Sequence, residues 1–243
     1  MKNIFEKNVY LFTTEDISGY FPVLDLKDKS VLTVGSSGDQ AFNALLLGAG
    51  KVTLFDINPN TYEFIKLKKD FILKYPRKKA YGEIYKINQI HTSKDIFPYR
   101  NIKKMNLYFA NDENYEILKE KLRTQEIEVI TGDIFNMSKS LKKGEKFDRI
   151  IFSNILQYIN YYAKMAGYEE KGMLFLRKSF EDWITHLEDN GIIQLLYIYS
   201  INGQYQEIIN LYDSLVGYNI CYHKFQSTTE QDKSLILTYE HGG

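Results

Sequence analysis

Apolar and polar positions follow two different periods along this chain, and each change of period marks an element. Val31, Leu32 and Val34 form a short β-branched, apolar run. Such a run suits a strand buried on both faces of a parallel sheet. Gly35-Ser36-Ser37-Gly38 breaks it. Asp39 then stands at a helix N-cap position, and Ala41, Phe42, Ala44, Leu45, Leu46 and Leu47 carry a helix that Gly48 and Gly50 end. Lys51 to Phe55 reads as a second strand, with Asp56 at its carboxyl end, 21 residues after Gly35.

The same reading continues downstream. Asn58 and Pro59 suit a helix start, and Thr61 to Tyr75 carries helical spacing. Its lysines (Lys66, Lys68, Lys69, Lys74, then Arg77, Lys78, Lys79) read as a solvated face, with an anionic surface as the other reading. Residues 76 to 112 show no clean period and are expected to be an insertion that shapes a pocket or adds packing. Glu113 to Arg123 is an amphipathic helix, Glu128 to Ile130 a third strand and Phe147 to Ser153 a fourth. Met173 to Leu187 is a helix with Trp183 and Leu187 on its buried side. Asn190-Gly191 is a turn, Ile192 to Tyr199 a fifth strand and Gln204 to Val216 a helix. The strand patterns Tyr218 to Phe225 and Ser234 to Tyr239 are joined by too few residues for a parallel crossover, so they must be antiparallel.

These elements predict an α/β fold: a doubly wound, Rossmann-like sheet of about seven strands, mostly parallel, with an antiparallel C-terminal pair. Ligands bind such sheets at the carboxyl ends of the strands, where the order reverses. A glycine turn lets a ligand approach the backbone, and an acid about 20 residues on can hydrogen-bond a ribose hydroxyl. The dinucleotide pattern G-x-G-x-x-G would need glycines where Ser37 and Gln40 stand, and the phosphate loop G-x-x-x-x-G-K-[ST] is absent. The ligand expected is a nucleoside without a gripped pyrophosphate. A nicotinamide oxidoreductase is the rival reading, and it would close its sheet with a parallel strand.

GSSGD followed by LFDINP resembles the class I methyltransferase superfamily, which uses S-adenosylmethionine (SAM). More narrowly, VLTVGSSGDQAFNALLLGAGKVTLFDINPNTYEFIKLK resembles uncharacterised relatives of the SAM:diacylglycerol 3-amino-3-carboxypropyl transferases. The closer likeness covers roughly residues 10 to 75. It implies a cofactor site made of Gly35, Ser36, Ser37, Gly38, Asp39, Asp56, Ile57 and Asn58. The superfamily pattern adds Asp133 for the adenine amino group, Ile134 for the ring, and Asn154 beside the reactive sulfonium. TTEDISGY stands where the family has a segment ahead of the glycine turn. Tyr10 and Thr14 are its cofactor contacts if residues 1 to 29 form a lid; otherwise the segment covers a sheet edge. Asn154 and Tyr158 are the catalytic candidates. Tyr161, Tyr162 and Tyr168 follow in a loop that either walls a substrate, binds a cation through ring faces or packs.

Composition narrows the picture further. Lys plus Arg and Asp plus Glu balance at 31 each, and 44% of the residues are apolar. One domain with a substantial core is expected, and no net field favours nucleic acid. Cys221 is the single cysteine and His91 has no ligand-spaced partner, so neither a disulfide nor a metal site is expected. No signal peptide and no run of 18 apolar residues is present, so a cytoplasmic protein without a transmembrane segment is expected. SNIL after the fourth strand is not the D/N-P-P-Y/F signature of nucleic-acid amine methylation. The expected activity is therefore SAM-dependent transfer to a small molecule, methyl first and 3-amino-3-carboxypropyl second. A SAM-binding module without turnover is the third reading. No spacing singles out a general base among Glu15, Asp16, His91, Tyr158 and His186.

Overall fold

The structure is a computed structural model that describes residues 10–87, 99–159, 163–164, 167, 172–198, 218–224 and 235–240. Seven strands form one sheet: β1 (Ser30–Val34), β2 (Lys51–Asp56), β3 (Ile127–Thr131), β4 (Phe147–Ile151), β5 (Leu187–Ile198), β6 (Ile220–Lys224) and β7 (Leu235–Glu240). Their order is β3-β2-β1-β4-β5-β7-β6. The first five are mutually parallel, and β7 lies antiparallel between β5 and β6. The predicted antiparallel ending is therefore present, and the order reverses at β1.

Helices cover both faces, which is why the central strands read as continuous apolar runs. Val31, Val52, Leu54 and Ile151 face one core, shared with α2 (Asp39–Leu46) and α3 (Asn60–Lys74). Leu32, Val34, Phe55, Ile150 and Phe152 face the other. That second core includes Trp183 of α8 (Gly172–Thr185), whose Nε1 donates to the Ile134 carbonyl at 2.7 Å. The first core also takes in the amphipathic α7 (Asp112–Thr124), whose N-cap is the Asn111 side chain.

Residues 76–112, where described, are helical: α4 (Arg77–Ile87), α5 (Tyr99–Met105) and α6 (Leu107–Ala110). α6 packs on α2 and α7, burying Tyr108 and Phe109. The segment adds packing to the first core. Ahead of β1, Asp16 caps the single-turn α1 (Ile17–Tyr20) through the Gly19 N–H.

Three local readings need correction. Gly38, at φ 77°, is the N-cap of α2 in place of Asp39. A Cβ at this position would press on the Cδ1 methyl of Ile65, and the positive φ strains any side chain placed there. The fifth strand opens at Leu187 rather than Ile192, and Asn190-Gly191 turns the chain within it as a bulge, with Asn190 at φ 62°. Lys68 and Arg77 do not belong to a solvated face. Lys68 is 0% exposed, and Arg77 is buried with its guanidinium on Asp112 and the Phe109 carbonyl. The helix predicted over Gln204–Val216, together with His91, Tyr161, Tyr162 and Tyr168, lies outside the described residues. Among the described residues no helix is long and apolar enough to cross a membrane.

Candidate functional site

A cavity of about 400 Å³ opens at the carboxyl ends of β1 to β4. It straddles β1, the point where strand order reverses, as expected for an open α/β sheet. Val34, Phe55 and Asp56 line it from the ends of β1 and β2; Gly132, Asp133, Ile134 and Phe135 follow β3; Phe152, Ser153, Asn154 and Ile155 follow β4. Tyr10, Phe12, Thr13, Thr14 and Glu15 of the N-terminal segment form a further wall.

Asp56 is held by two backbone N–H groups. Its Oδ2 accepts the Ser36 N–H and its Oδ1 the Asn58 N–H, both at 2.8 Å. The absence of a side chain at Gly35 permits this. A Cβ on Gly35 would sit 2.7 Å from Asp56 Oδ2 and 2.7 Å from Thr61 Cγ2. Ser36 is held in the left-handed region, at φ 40°. Beside Asp56, Ile57 is 59% exposed, a large apolar side chain standing at the cavity edge. Gly132 is needed for a similar reason: a Cβ there would lie 2.6 Å from Phe55 Cζ. Asp133 lines the cavity and caps the following 3-10 turn (Ile134–Lys139), accepting the Phe135 N–H at 2.9 Å.

At the end of β4 the backbone is strained. Ser153 adopts φ 62°, uncommon for a residue other than glycine. The Gln194 amide of β5 holds it from both sides: the Ser153 N–H donates to Oε1 at 2.8 Å, and Nε2 donates to the Ser153 carbonyl at 3.1 Å. Strain of this kind persists only where surroundings fix it, and it clusters at functional sites. It presents Asn154, which begins the 3-10 turn Ile155–Tyr158 without using its side chain as a cap. The Tyr158 side chain is not among those described.

Of the residues expected from sequence, Tyr10, Thr14, Ser36, Asp56, Ile57, Asn58, Asp133, Ile134 and Asn154 come together around the cavity. Gly35, Ser37, Gly38 and Asp39 do not line it. They stand behind the wall, and Asp39 has another task. Its Oδ1 accepts from Lys68 Nζ and from the Tyr108 hydroxyl, each at 2.6 Å, and its Oδ2 accepts the Thr13 N–H at 2.6 Å. Lys68 places its other protons on the Leu11 and Ser37 carbonyls at 2.7 and 2.9 Å. Both side chains of this pair are 0% exposed. Burial pulls the Lys68 ammonium below the ordinary lysine range, while the charge and hydrogen bond of Asp39 oppose that. Burial, with the Asp39 charge beside it, pushes the Tyr108 hydroxyl well up. The pair ties the N-terminal segment, the glycine turn, α2, α3 and α6 at one point.

Glu15, Gln40 and Ser153 also line the cavity. From sequence, Glu15 is one of several undistinguished bases, and Gln40 matters only as an absent glycine. Gln40 follows the helix start directly, which is the local signal that marks it. His186 is excluded as a base: it is buried elsewhere, with Nδ1 on the Glu145 carbonyl and Nε2 on the Ser138 hydroxyl, both at 2.8 Å.

No protein-family model matches the sequence, and no curated protein is significantly similar to it. Solved structures are similar in fold. The N-methyltransferase NodS from Bradyrhizobium japonicum WM9, in complex with S-adenosyl-L-homocysteine, superposes with a TM-score of 0.50 at 11% identity, over 92% of this chain and 85% of that one. A methyltransferase from Pyrococcus furiosus gives 0.49 at 14% identity, over 92% and 80%. Magnesium protoporphyrin IX methyltransferase from Synechocystis PCC 6803, with bound SAM, gives 0.45 at 13% identity, over 91% and 74%. With a seven-stranded sheet ordered 3-2-1-4-5-7-6 and strand 7 reversed, the chain has the class I methyltransferase fold.

Proposed function

We propose that the cavity binds SAM and that the protein is a SAM-dependent transferase, moving a methyl group to a small-molecule acceptor. The observation that carries this is Asp56. Each of its oxygens takes one backbone N–H, and a carboxylate oxygen has two lone pairs. One acceptor position per oxygen is left, the requirement for a vicinal ribose diol. The other residues present fit the rest of the cofactor. Ile57 offers an apolar face for adenine, Asp133 and the Ile134 backbone its edge, and Tyr10, Thr14 and Asn154 the amino-acid end. The N-terminal segment then acts as the cofactor's cover.

Bound SAM would supply an activated leaving group at its sulfonium. The chain's part is to position and to exclude water. Phe12, Phe152 and Ile155 make the wall apolar, and Asn154, fixed by the strained Ser153, aligns the acceptor. Balanced charge gives no long-range pull on a polyanion, which favours a small acceptor.

Transfer of the 3-amino-3-carboxypropyl group is the second reading. It is favoured by the narrower resemblance that LFDINP carries; Asp56 and Asn58 of that stretch line the cavity in either reading. Calorimetric titration with SAM, S-adenosylhomocysteine and methylthioadenosine tests the proposal. Micromolar SAM binding is expected. Asp56→Ala should weaken it by about 1.5–3 kcal/mol, the worth of hydrogen bonds to a charged group. A folded Asp56→Ala variant with unchanged affinity removes Asp56 from the site, and no binding of any of the three ligands ends the SAM reading. Turnover releasing S-adenosylhomocysteine selects methyl transfer, whereas methylthioadenosine release selects the alternative. A protein that binds SAM and releases neither is a binding module.

A further inference from the structure

Every polar atom of Ser153 is hydrogen-bonded. Its N–H donates to Gln194 Oε1 at 2.8 Å, and its carbonyl accepts from Gln194 Nε2 at 3.1 Å and from the Tyr197 N–H at 2.8 Å. Its hydroxyl donates to Glu15 Oε1 and accepts from Gln40 Nε2 at 3.4 Å. Gln194 and Tyr197 belong to β5 and Gln40 to α2, so these three are parts of the sheet or of a helix packed on it. Glu15 comes instead from the N-terminal segment, which also walls the cavity with Tyr10, Phe12, Thr13 and Thr14. A left-handed residue other than glycine keeps its conformation only while its surroundings hold it. Asn154 is the next residue, so its placement follows from whatever holds Ser153.

A second connection starts from the next residue of the segment. The Asp16 N–H donates to the Tyr197 hydroxyl at 3.0 Å, and the Tyr197 N–H is the one that holds the Ser153 carbonyl. The two routes are joined to each other. Glu15 Oε2 accepts the Tyr20 hydroxyl at 2.9 Å, and the Tyr20 ring centre lies 5.4 Å from that of Tyr197. Glu15, Asp16, Tyr20 and Tyr197 are all buried. Adjacent residues of one segment therefore reach Ser153 both through its side chain and through its backbone. Lifting the segment breaks both routes at once. We propose that Glu15 is a positioning residue for Asn154, an inference that rests on the cavity being the SAM site. The end of β4 takes the geometry that aligns the acceptor only while the N-terminal segment lies over the cavity. Cover and turn are then one unit, and the acceptor meets an aligned Asn154 only in a site closed to water, as in enzymes whose lids complete the site.

Amide hydrogen exchange on the whole chain tests this. The amides to follow are those of Ser153, held by Gln194, and Ile155, held by the Phe152 carbonyl at 3.2 Å. Glu15→Ala cuts the link at the segment and Ser153→Ala cuts it at the turn; if one variant does not fold, the other serves. Either should speed exchange of both amides roughly ten- to hundredfold, as loss of a buried hydrogen bond does, with the β1 amides changed far less. Glu15→Gln, which keeps an acceptor oxygen for the Ser153 hydroxyl, should recover most of the protection. Unchanged exchange at the two amides, equal acceleration there and in β1, or a Glu15→Gln variant that behaves like Glu15→Ala overturns the positioning role. Saturating S-adenosylhomocysteine should slow exchange in residues 11–16 and at Ser153 and Ile155 of the wild type, but only in residues 11–16 of Glu15→Ala; slowing of both in the variant also overturns it. Wild-type protein that shows neither an exchange response nor calorimetric binding fails the SAM reading instead, and exchange of the unliganded variants then decides the role of Glu15 alone.

Discussion

Replacing Lys68 with methionine probes the junction that holds the N-terminal segment over the glycine turn. Methionine keeps the unbranched packing volume but removes the ammonium. Asp39 would then remain 0% exposed with a full charge and no cation. Breaking one side of a buried ion pair costs about 3–5 kcal/mol. The Leu11 and Ser37 carbonyls lose their donor as well. Against this, Asp39 keeps the Thr13 N–H and the Tyr108 hydroxyl, so the lower half of the range is expected, about 3–4 kcal/mol. For a chain of this size that corresponds to a fall in Tm of roughly 6–16 °C. Urea unfolding of Lys68→Met, Asp39→Asn and the double variant measures it. Removing both charges leaves no buried ion, so the double variant should be more stable than the sum of the single losses by at least about 2 kcal/mol. A Lys68→Met loss below about 1 kcal/mol, or strictly additive losses, would refute the view that this pair is an ionic junction.

Two other outcomes are expected. Gly35→Ala forces a methyl group to 2.7 Å from both Asp56 Oδ2 and Thr61 Cγ2; it should destabilise the fold by about 1–3 kcal/mol and displace the carboxylate, so SAM affinity should fall even where the variant remains folded. A variant that binds SAM like the wild type would show that the close contact does not position Asp56. Acid sensitivity should trace in part to Asp148. Burial works to raise its pKa, but hydrogen bonds from the Ser30 N–H and hydroxyl, with Lys29 nearby, bring it below the ordinary 3.8. A depressed carboxylate stabilises the fold above its unfolded pKa and loses that contribution as pH falls through the folded one. The urea midpoint should therefore drop below about pH 4, less steeply in Asp148→Asn; identical slopes would clear Asp148 of the effect.

The strand-turn-helix-strand unit is legible in the sequence because its signals are local: a β-branched run, a glycine turn, an acid at a strand end. The reversed last strand is legible from the short interval between two strand patterns. Asp56, Asp133 and Asn154 follow from their positions at strand ends, which is where the cavity lies. Lys68 is obscured by its neighbours, since a run of lysines looks solvated as a whole. Helical spacing separates it: Phe64, Ile65, Lys68 and Ile72 fall on one face of α3 and are all buried. Asp39 reads as a cap because nothing in the sequence shows a partner 29 positions away. Glu15, Gln40 and Gln194 are hidden for the same reason. Their meaning comes from Ser153, more than a hundred residues from the first two, and polar side chains joined across such separations leave no periodic trace.

These separations also set a timetable for the chain as it is made. The Leu11 carbonyl finds Lys68 after 57 more residues, whereas the Asp16 N–H finds the Tyr197 hydroxyl only after 181. At ~5–20 residues per second of synthesis, the second contact arrives roughly 10–35 s after Asp16 is added. During that interval the buried ion pair is the earlier anchor available to the segment that carries Leu11, Phe12, Ile17, Tyr20 and Phe21. Without it, these five side chains, all buried in the finished fold, would wait for later contacts, such as those of Phe12 with Tyr81 and Phe109 and of Asp16 with Tyr197.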